Sequence, residues 1–451
     1  MAIKIIDKSQ AAELATGSSD LFVRIPNPSY VFPPYEICPI AAPLTGFDKP
    51  PVAAVMDMDG TTTTTETLCL HSLEHAVRKA MGPAGMEWTG LDPQRDYPNV
   101  IGNSTTKHVE YLVDAYGARF DAHALGQAFL AAAGWTLRHS RDEQRRQQVR
   151  INLRRAGWDE DTITDLADGA GEKNRMAPQT PAPASPPITR RELQVQACID
   201  VYYQRYHEIL AAIEAGDRKF LTAIPGVDAD RPLIEPMPGV AVTLALLSGD
   251  LGGEAGKLAG LLPAPDAMKT AGRDGSALTD AQTTLVHLGR FFGDHPVRLA
   301  LVTSSIRYEA EVVMGEVFGA IRKEVAGWPV SDTVKARLDA RFASPDACYD
   351  AFVTASDSSE IRLKPFRDLY SIALQQTGVD PADFDAVIGF EDSQSGTVAI
   401  RAAGIGRCVA VPFHETGGHD FDAASLVAHG GLPEVLIQHR FFMDKLLEES
   451  A

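Results

Sequence analysis

The segment PPVAAVMDMDGTTTTTE, residues 50–66, passes from an apolar stretch directly into two aspartates one residue apart, a glycine and five threonines. Its first half predicts a short buried strand over residues 51–58. The end of that strand is chemically odd, because a strand leaving water has no need of two carboxylates at its tip. Either the turn is merely acidic, or a nucleophile and an acid stand side by side. The rest of the chain has to decide.

With 451 residues the chain is too long for one ordinary core, and two or three domains are expected. Apolar residues make up 45% and charged residues 23%, and no apolar run approaches the roughly 20 residues that cross a bilayer. The start, MAIKIIDKSQAAELATGSSD, lacks the long apolar core of a secretory signal. Five cysteines (Cys38, Cys69, Cys198, Cys348, Cys408) lie far apart without a CxxC pair, which indicates neither a disulfide framework nor a thiolate zinc site. A reduced, cytoplasmic setting is expected. The formal charge is −18, from 60 acidic and 42 basic residues, and opposes binding to nucleic acid or to an anionic membrane. A small phosphorylated metabolite held by a local basic site remains compatible with it.

Residues 1–50, rich in proline and aromatic side chains, read as an irregular arm laid over a domain. Residues 66–235 read as an inserted all-helical domain. STTKHVEYLVDAYG offers Ser104 as an N-cap and Val109, Leu112, Val113 and Tyr116 as one face. RELQVQACIDVYYQRYHEILAAIEAG repeats the pattern with Val195, Ile199, Tyr202, Tyr206, Ile209 and Ile213. Between them MAPQTPAPASPPIT reads as a proline-rich linker. Short apolar strands return after residue 235, in VRLALVTSS (297–305), DAVIGFEDS (385–393) and RCVAVPF (407–413), with a helix in KPFRDLYSIALQQTG ended by Gly378. Strands alternating with helices predict a doubly wound, parallel α/β sheet built from residues 51–65 and 236–451. Residues 250–285 make the first crossover too long and are expected to be a second, smaller insertion.

In such sheets ligands bind beyond the carboxyl ends of the strands. The residues at those ends are Asp57, Asp59, Gly60 and Thr61, then Thr303, Ser304 and Ser305, then Glu391, Asp392 and Ser393, with Lys364 before a helix. Acids, hydroxyls and one lysine suit phosphoryl transfer. A carboxylate can attack a phosphate ester and form an aspartyl-phosphate. Two anions meeting need a cation, and an oxygen-rich cluster is what Mg²⁺ prefers. Hydroxyls and lysine hold the phosphoryl oxygens, and a second carboxylate handles the proton.

DMDGT, ALVTSS, the lysine of LKPFRDLY and GFEDSQSGTVAIRAAGI resemble, in order, the four motifs of the haloacid dehalogenase (HAD) superfamily. The last motif is most similar to the branch of β-phosphoglucomutase and phosphoglycolate-phosphatase-like enzymes, and IEPMPGV resembles that branch's return from a helical cap. The resemblance covers residues 51–65 and roughly 235–415. It implies Asp57 as nucleophile and Asp59 as general acid/base. It implies Mg²⁺ on Asp57, on the backbone carbonyl of Asp59 and on Asp392, with Glu391 a further ligand. Thr303 and Ser304 bind the phosphoryl group in this reading, and Lys364 neutralises it. The second aspartate points to phosphomonoesters. The chain departs from the branch in two places: a helical insertion near 170 residues is larger than the usual cap, and Arg367 replaces a frequent second proline after the lysine.

Cap residues are expected to choose the substrate, with Arg307 and Lys107 as candidate contacts for it. HSLEH (71–75) sets two histidines at i and i+4 but offers no third ligand, RDEQRRQQVRINLRR reads as a solvated helix face, and HETGGH (414–419) as a loop near the site mouth. The expected function is a Mg²⁺-dependent phosphatase acting on a small phosphomonoester. A phosphomutase using the same residues is the nearest rival. A phospho-acceptor module or a partner-binding protein without activity is a rival of another class.

Overall fold

The computed structural model describes residues 5–27, 31–101, 105–168, 186–224, 233–263, 275–357, 362–413, 416 and 419–449. Ser104, residues 176–185 of the proline-rich linker, residues 264–274 of the 250–285 interval and most of HETGGH lie outside the described residues. The chain forms two compact units, Met1–Thr64 with Ile234–Ala451, and Thr65–Leu233.

The first unit holds a six-stranded parallel sheet. Its strands are β3 (Ala53–Asp57), β4 (Arg298–Val302), β5 (Ala351–Val353), β6 (Val387–Glu391), β7 (Arg407–Ala410) and β8 (Leu426–Val427). They lie in the order β5-β4-β3-β6-β7-β8, so the first strand of the sheet in sequence is central and flanked by β4 and β6. Strand order reverses between β3 and β6, and the crevice beyond their carboxyl ends is where open α/β sheets bind ligands. Every residue of β3, β6 and β7 is buried. Parallel strands covered on both faces read as continuous apolar runs, which is why these were visible in sequence.

Helices cover the sheet. Val240–Leu247 (VAVTLALL) buries all its residues. Asp368–Gln376 buries Leu369, Tyr370, Ala373 and Leu374, and the chain leaves it through Gly378 at φ +64°, as its sequence predicts. Val55, Val302, Val353, Leu369, Tyr370 and Ile400 share one core cluster. Each large apolar side chain fully buried there contributes about 1.5–3 kcal/mol. Within the 250–285 interval, a 3₁₀ turn at Gly252–Leu258 packs against the helix Gly275–Asp294, inside the first unit.

The N-terminal arm is more regular than its composition predicts. It contains a helix, Lys8–Ser18, with a capping box on Asp7, and an antiparallel hairpin of β1 (Leu21–Pro26) and β2 (Tyr35–Ile40). Pro26 and Pro39 argued against strands, but both strands of a two-stranded sheet are edges, where a missing N–H is tolerated. Arg401 and Arg407 then fasten the following residues to the sheet. Arg401 Nε donates to the Ala41 carbonyl (2.8 Å), Arg407 Nε donates to that of Gly46 (2.8 Å), and the Arg407 guanidinium lies 3.7 Å from the Phe47 ring centroid.

The second unit is helical, with no strand among its described residues. Thr105–Tyr116 buries Val109, Leu112, Val113 and Tyr116. The long helix Arg191–Ala215 buries its expected face, Val195, Ile199, Tyr202, Tyr206, Ile209 and Ile213, and stops at Gly216 in the left-handed region. Glu66–Met81, Ala122–His139 and Glu143–Arg155 pack around it. Among the described residues no helix is long and apolar enough to cross a membrane.

Candidate active site

Strand β3 delivers Asp57 to the crevice, and the threonines fold back on the strand end. The amides of Thr62 and Thr63 donate to the Met58 carbonyl at 3.0 and 2.9 Å. Thr62 Oγ1 donates to the Asp57 carbonyl (2.6 Å) and Thr63 Oγ1 to that of Met58 (3.1 Å). Outgoing and returning chain are paired one residue on: Thr64 N donates to Glu235 O, and Glu235 N to Thr64 Oγ1, both at 2.9 Å. Gly60 has φ +80°, and a Cβ there would stand 2.5 Å from Asp392 Oδ2. Glycine is thus required both for the turn and for the approach of Asp392.

Asp57, Glu391 and Asp392 are buried together, and one carboxylate oxygen from each lies within 4.8 Å of the other two. Lys364, its side chain only 9% exposed, donates from Nζ to Asp57 Oδ1 and to Glu391 Oε1, the latter at 2.5 Å. Tyr370 donates its hydroxyl to the same Glu391 Oε1 at 3.1 Å. Glu391 Oε2 accepts the amides of Asp392 (3.1 Å) and Ser393 (3.0 Å) and the Ser393 hydroxyl (2.8 Å). Ser393 also caps the helix Gln394–Ala402. Gly396 makes room for this carboxylate, since a Cβ there would fall 1.7 Å from Glu391 Oε1. Thr303, at the end of β4, donates from Oγ1 to Asp59 Oδ2 at 2.9 Å. Thr61 Oγ1 lies 3.4 Å from Asp392 Oδ1.

The site is short of positive charge. Burial, then the neighbouring Glu391 carboxylate, push Asp57 well above the ordinary aspartate range, against the pull of Lys364. Burial presses Lys364 down, but Asp57 and Glu391 outweigh it and hold the ammonium above its usual value. Burial, then Glu391, raise Tyr370, which keeps its hydroxyl a donor. A set of hard oxygen donors with one lysine between them fits a divalent cation such as Mg²⁺.

Thus Asp57, Lys364, Glu391 and Asp392 come together, and Thr303 joins Asp59. Ser304 is exposed, one residue beyond Thr303. Arg307 is turned to β5: it donates to the Phe352 carbonyl (2.7 Å) and to Asp357 Oδ1 (3.3 Å), with its guanidinium 4.5 Å from the Phe352 ring centroid. Lys107 is exposed on the helix Thr105–Tyr116 of the second unit. His71, in HSLEH, receives Arg205 Nε on its Nε2 at 3.4 Å, a setting that repels a cation. Among the described residues, Asp57, Glu391 and Asp392 form the one group of three side chains suited to a metal. RDEQRRQQVRINLRR is largely a solvated helix, but Arg145 and Asn152 turn inward to the buried Asp200. Tyr370 was not anticipated as a site residue. Its place in DLYSIALQQ reads as helix core, and only the three-dimensional position of Glu391 reveals its hydroxyl's target.

No protein-family model matches the chain. Among curated proteins, it is 35% identical over 116 residues to protein CbbY of Rhodobacter capsulatus, a match covering 26% of this chain and 48% of that protein. The chain thus spans about half the length of that relative. Among solved structures, CbbY from Rhodobacter sphaeroides in complex with phosphate aligns over 85% of this chain and 96% of its own, at 14% identity and a TM-score of 0.39. A putative β-phosphoglucomutase from Thermotoga maritima aligns over 89% and 100%, at 14% identity and a TM-score of 0.32. In its motifs the chain resembles the HAD superfamily, and its parallel six-stranded sheet accords with that resemblance.

Proposed function

We propose that the first unit is a Mg²⁺-dependent phosphatase that hydrolyses a small phosphomonoester through an aspartyl-phosphate on Asp57. The observation that carries this reading is the convergence of Asp57, Lys364, Glu391 and Asp392 at the crevice where strand order reverses. Asp57 and Asp392, with the backbone carbonyl of Asp59, would hold the cation. Glu391 stands within reach of the same position, but its oxygens already accept five hydrogen bonds, so we assign it to hold Lys364 and the turn 391–393. Mg²⁺ when bound offsets the excess negative charge and polarises the phosphoryl oxygens.

The remaining chemistry belongs to the chain's own residues. A carboxylate oxygen of Asp57 bonds to phosphorus as the ester P–O bond breaks, and Asp59, as the acid, gives its proton to the leaving oxygen. Water then attacks phosphorus and yields a proton to Asp59, while the bond to Asp57 breaks and inorganic phosphate leaves. Lys364 and the Thr303–Ser304 segment meet the charge that gathers on the phosphoryl oxygens. Thr303 also aims Asp59 through its hydrogen bond. None of the five cysteines, all among the described residues, forms a disulfide, which suits a reducing cytoplasm.

The test is phosphate release from a panel of phosphomonoesters, sugar phosphates included, with Mg²⁺ and with EDTA, for the native chain and Asp57→Asn. Turnover that needs the metal and vanishes in the variant is expected. Release of phosphate from none of the esters would overturn the reading and direct attention to transfer between sugar positions.

A further inference from the structure

Glu391 Oε1 takes two donors, Lys364 Nζ at 2.5 Å and the Tyr370 hydroxyl at 3.1 Å. A carboxylate only accepts, so the tyrosine is the donor in its contact. The Tyr370 ring centroid lies 5.3 Å from Lys364 Nζ, within range of a cation–π attraction. One side chain therefore acts on the lysine twice, through its ring and through the oxygen they share. Tyr370 is fully buried on the helix Asp368–Gln376, in the same core cluster as Leu369 and Ala373. For packing alone a phenylalanine would serve, without a hydroxyl to desolvate.

We propose that Tyr370 is a positioning residue for Lys364, setting how the lysine divides its hydrogen bonds between Glu391 and the reacting centre; this rests on the phosphatase reading above. The hydroxyl takes up part of the charge on Glu391 Oε1. Without it that oxygen draws Lys364 more strongly, away from Asp57 and from the phosphoryl oxygens that Lys364 must meet. The lysine is held by a balance of acceptors, and Tyr370 sets the balance.

The experiment is Tyr370→Phe, which keeps the ring and removes the oxygen. Crystal structures of the native chain and the variant report the Lys364 contacts, and kinetics with Mg²⁺ report kcat, KM and inhibition by inorganic phosphate. The Lys364–Asp57 contact should lengthen while the Lys364–Glu391 contact persists. Loss of one hydrogen bond to a charged group should lower kcat by about tenfold and weaken phosphate inhibition by a similar factor. The melting temperature should barely move. An unmoved Lys364 with unchanged kcat and phosphate inhibition overturns the proposal, and so does a loss of activity that only tracks a loss of folded protein. Should the native chain hydrolyse no ester, the phosphatase reading fails on its own account, and the position of Lys364 in the two crystals still decides the part of Tyr370.

Discussion

Thr303 donates its hydroxyl to Asp59 across 2.9 Å, although 244 residues separate them. The Thr303 oxygen in turn accepts the Ser305 amide at 3.0 Å, so the hydroxyl proton is directed at the carboxylate. Thr303→Val keeps the shape and removes the donor. Phosphate release should fall by about tenfold to a hundredfold, the range for a hydrogen bond to a charged group. Secondary structure by circular dichroism should be unchanged. Activity within about twofold of the native chain would show that Asp59 is aimed by something else.

Gly396 leaves the space that the Glu391 carboxylate fills. Gly396→Ala would set a Cβ 1.7 Å from Glu391 Oε1, and the carboxylate must move with the lysine it holds. Overpacking of this kind costs about 1–3 kcal/mol, readable as a lower urea midpoint. The activity loss should exceed that of a glycine-to-alanine change at Gly319, where a Cβ meets nothing within 4 Å.

In the second unit Arg145, 11% exposed in its side chain, pairs with the fully buried Asp200. Asn152 Nδ2 donates to the other Asp200 oxygen at 2.8 Å. Burial, set against Arg145, still raises the Asp200 pKa. Arg145→Met strands that acid and should destabilise the unit by about 3–5 kcal/mol. Arg146→Met removes a solvent-exposed pair with Glu143 and should cost less than about 1 kcal/mol. Urea unfolding of the two variants side by side checks the contrast, and equal losses would refute it.

His71 and His75 give the second unit a pH dependence of known sign. Burial, reinforced by the Arg205 charge, lowers them from 6.5 to about 4 and about 3. As pH falls through 6.5 the unfolded chain gains protons that the folded chain refuses, so stability is lost from about pH 6.5 down to about 4 for His71 and about 3 for His75. A His71→Gln, His75→Gln double variant lacks this penalty. The native chain should therefore lose stability relative to the variant over that window, measured by urea midpoints at successive pH values. Parallel curves would refute the assignment.

The parts of this fold that were legible in sequence share a physical cause. Strands β3, β4 and β6 are buried apolar runs that stop at Asp57, Thr303 and Glu391, so the run ends where polar side chains begin, and β7 is a buried run of the same kind. The faces of Thr105–Tyr116 and Arg191–Ala215 were legible because one side of each helix packs and the other is wet. Strand β5 escaped notice because three residues, Ala351–Val353, are too few to show a period. The hairpin escaped because proline is permitted at edges. At the site, residue types at strand ends located Asp57 and Asp392. Arg307, read only as a candidate substrate contact, donates to the Phe352 carbonyl and to Asp357, partners that no local signal in the sequence discloses.

The chain division has a consequence for synthesis. Lys364 follows Asp57 by 307 residues, and β6, the strand beside β3, comes later still. The second unit, Thr65–Leu233, is contiguous and leaves the ribosome whole while the strand bearing Asp57 still lacks both neighbours. Such non-local pairing is slow to form and leaves a bare apolar strand during the wait. The aspartates and threonines after that strand, polar and turn-forming, interrupt its apolar run where a nascent chain would be most prone to aggregate. The residues suited to phosphoryl chemistry also serve, before any chemistry begins, as the gatekeepers of an unfinished sheet.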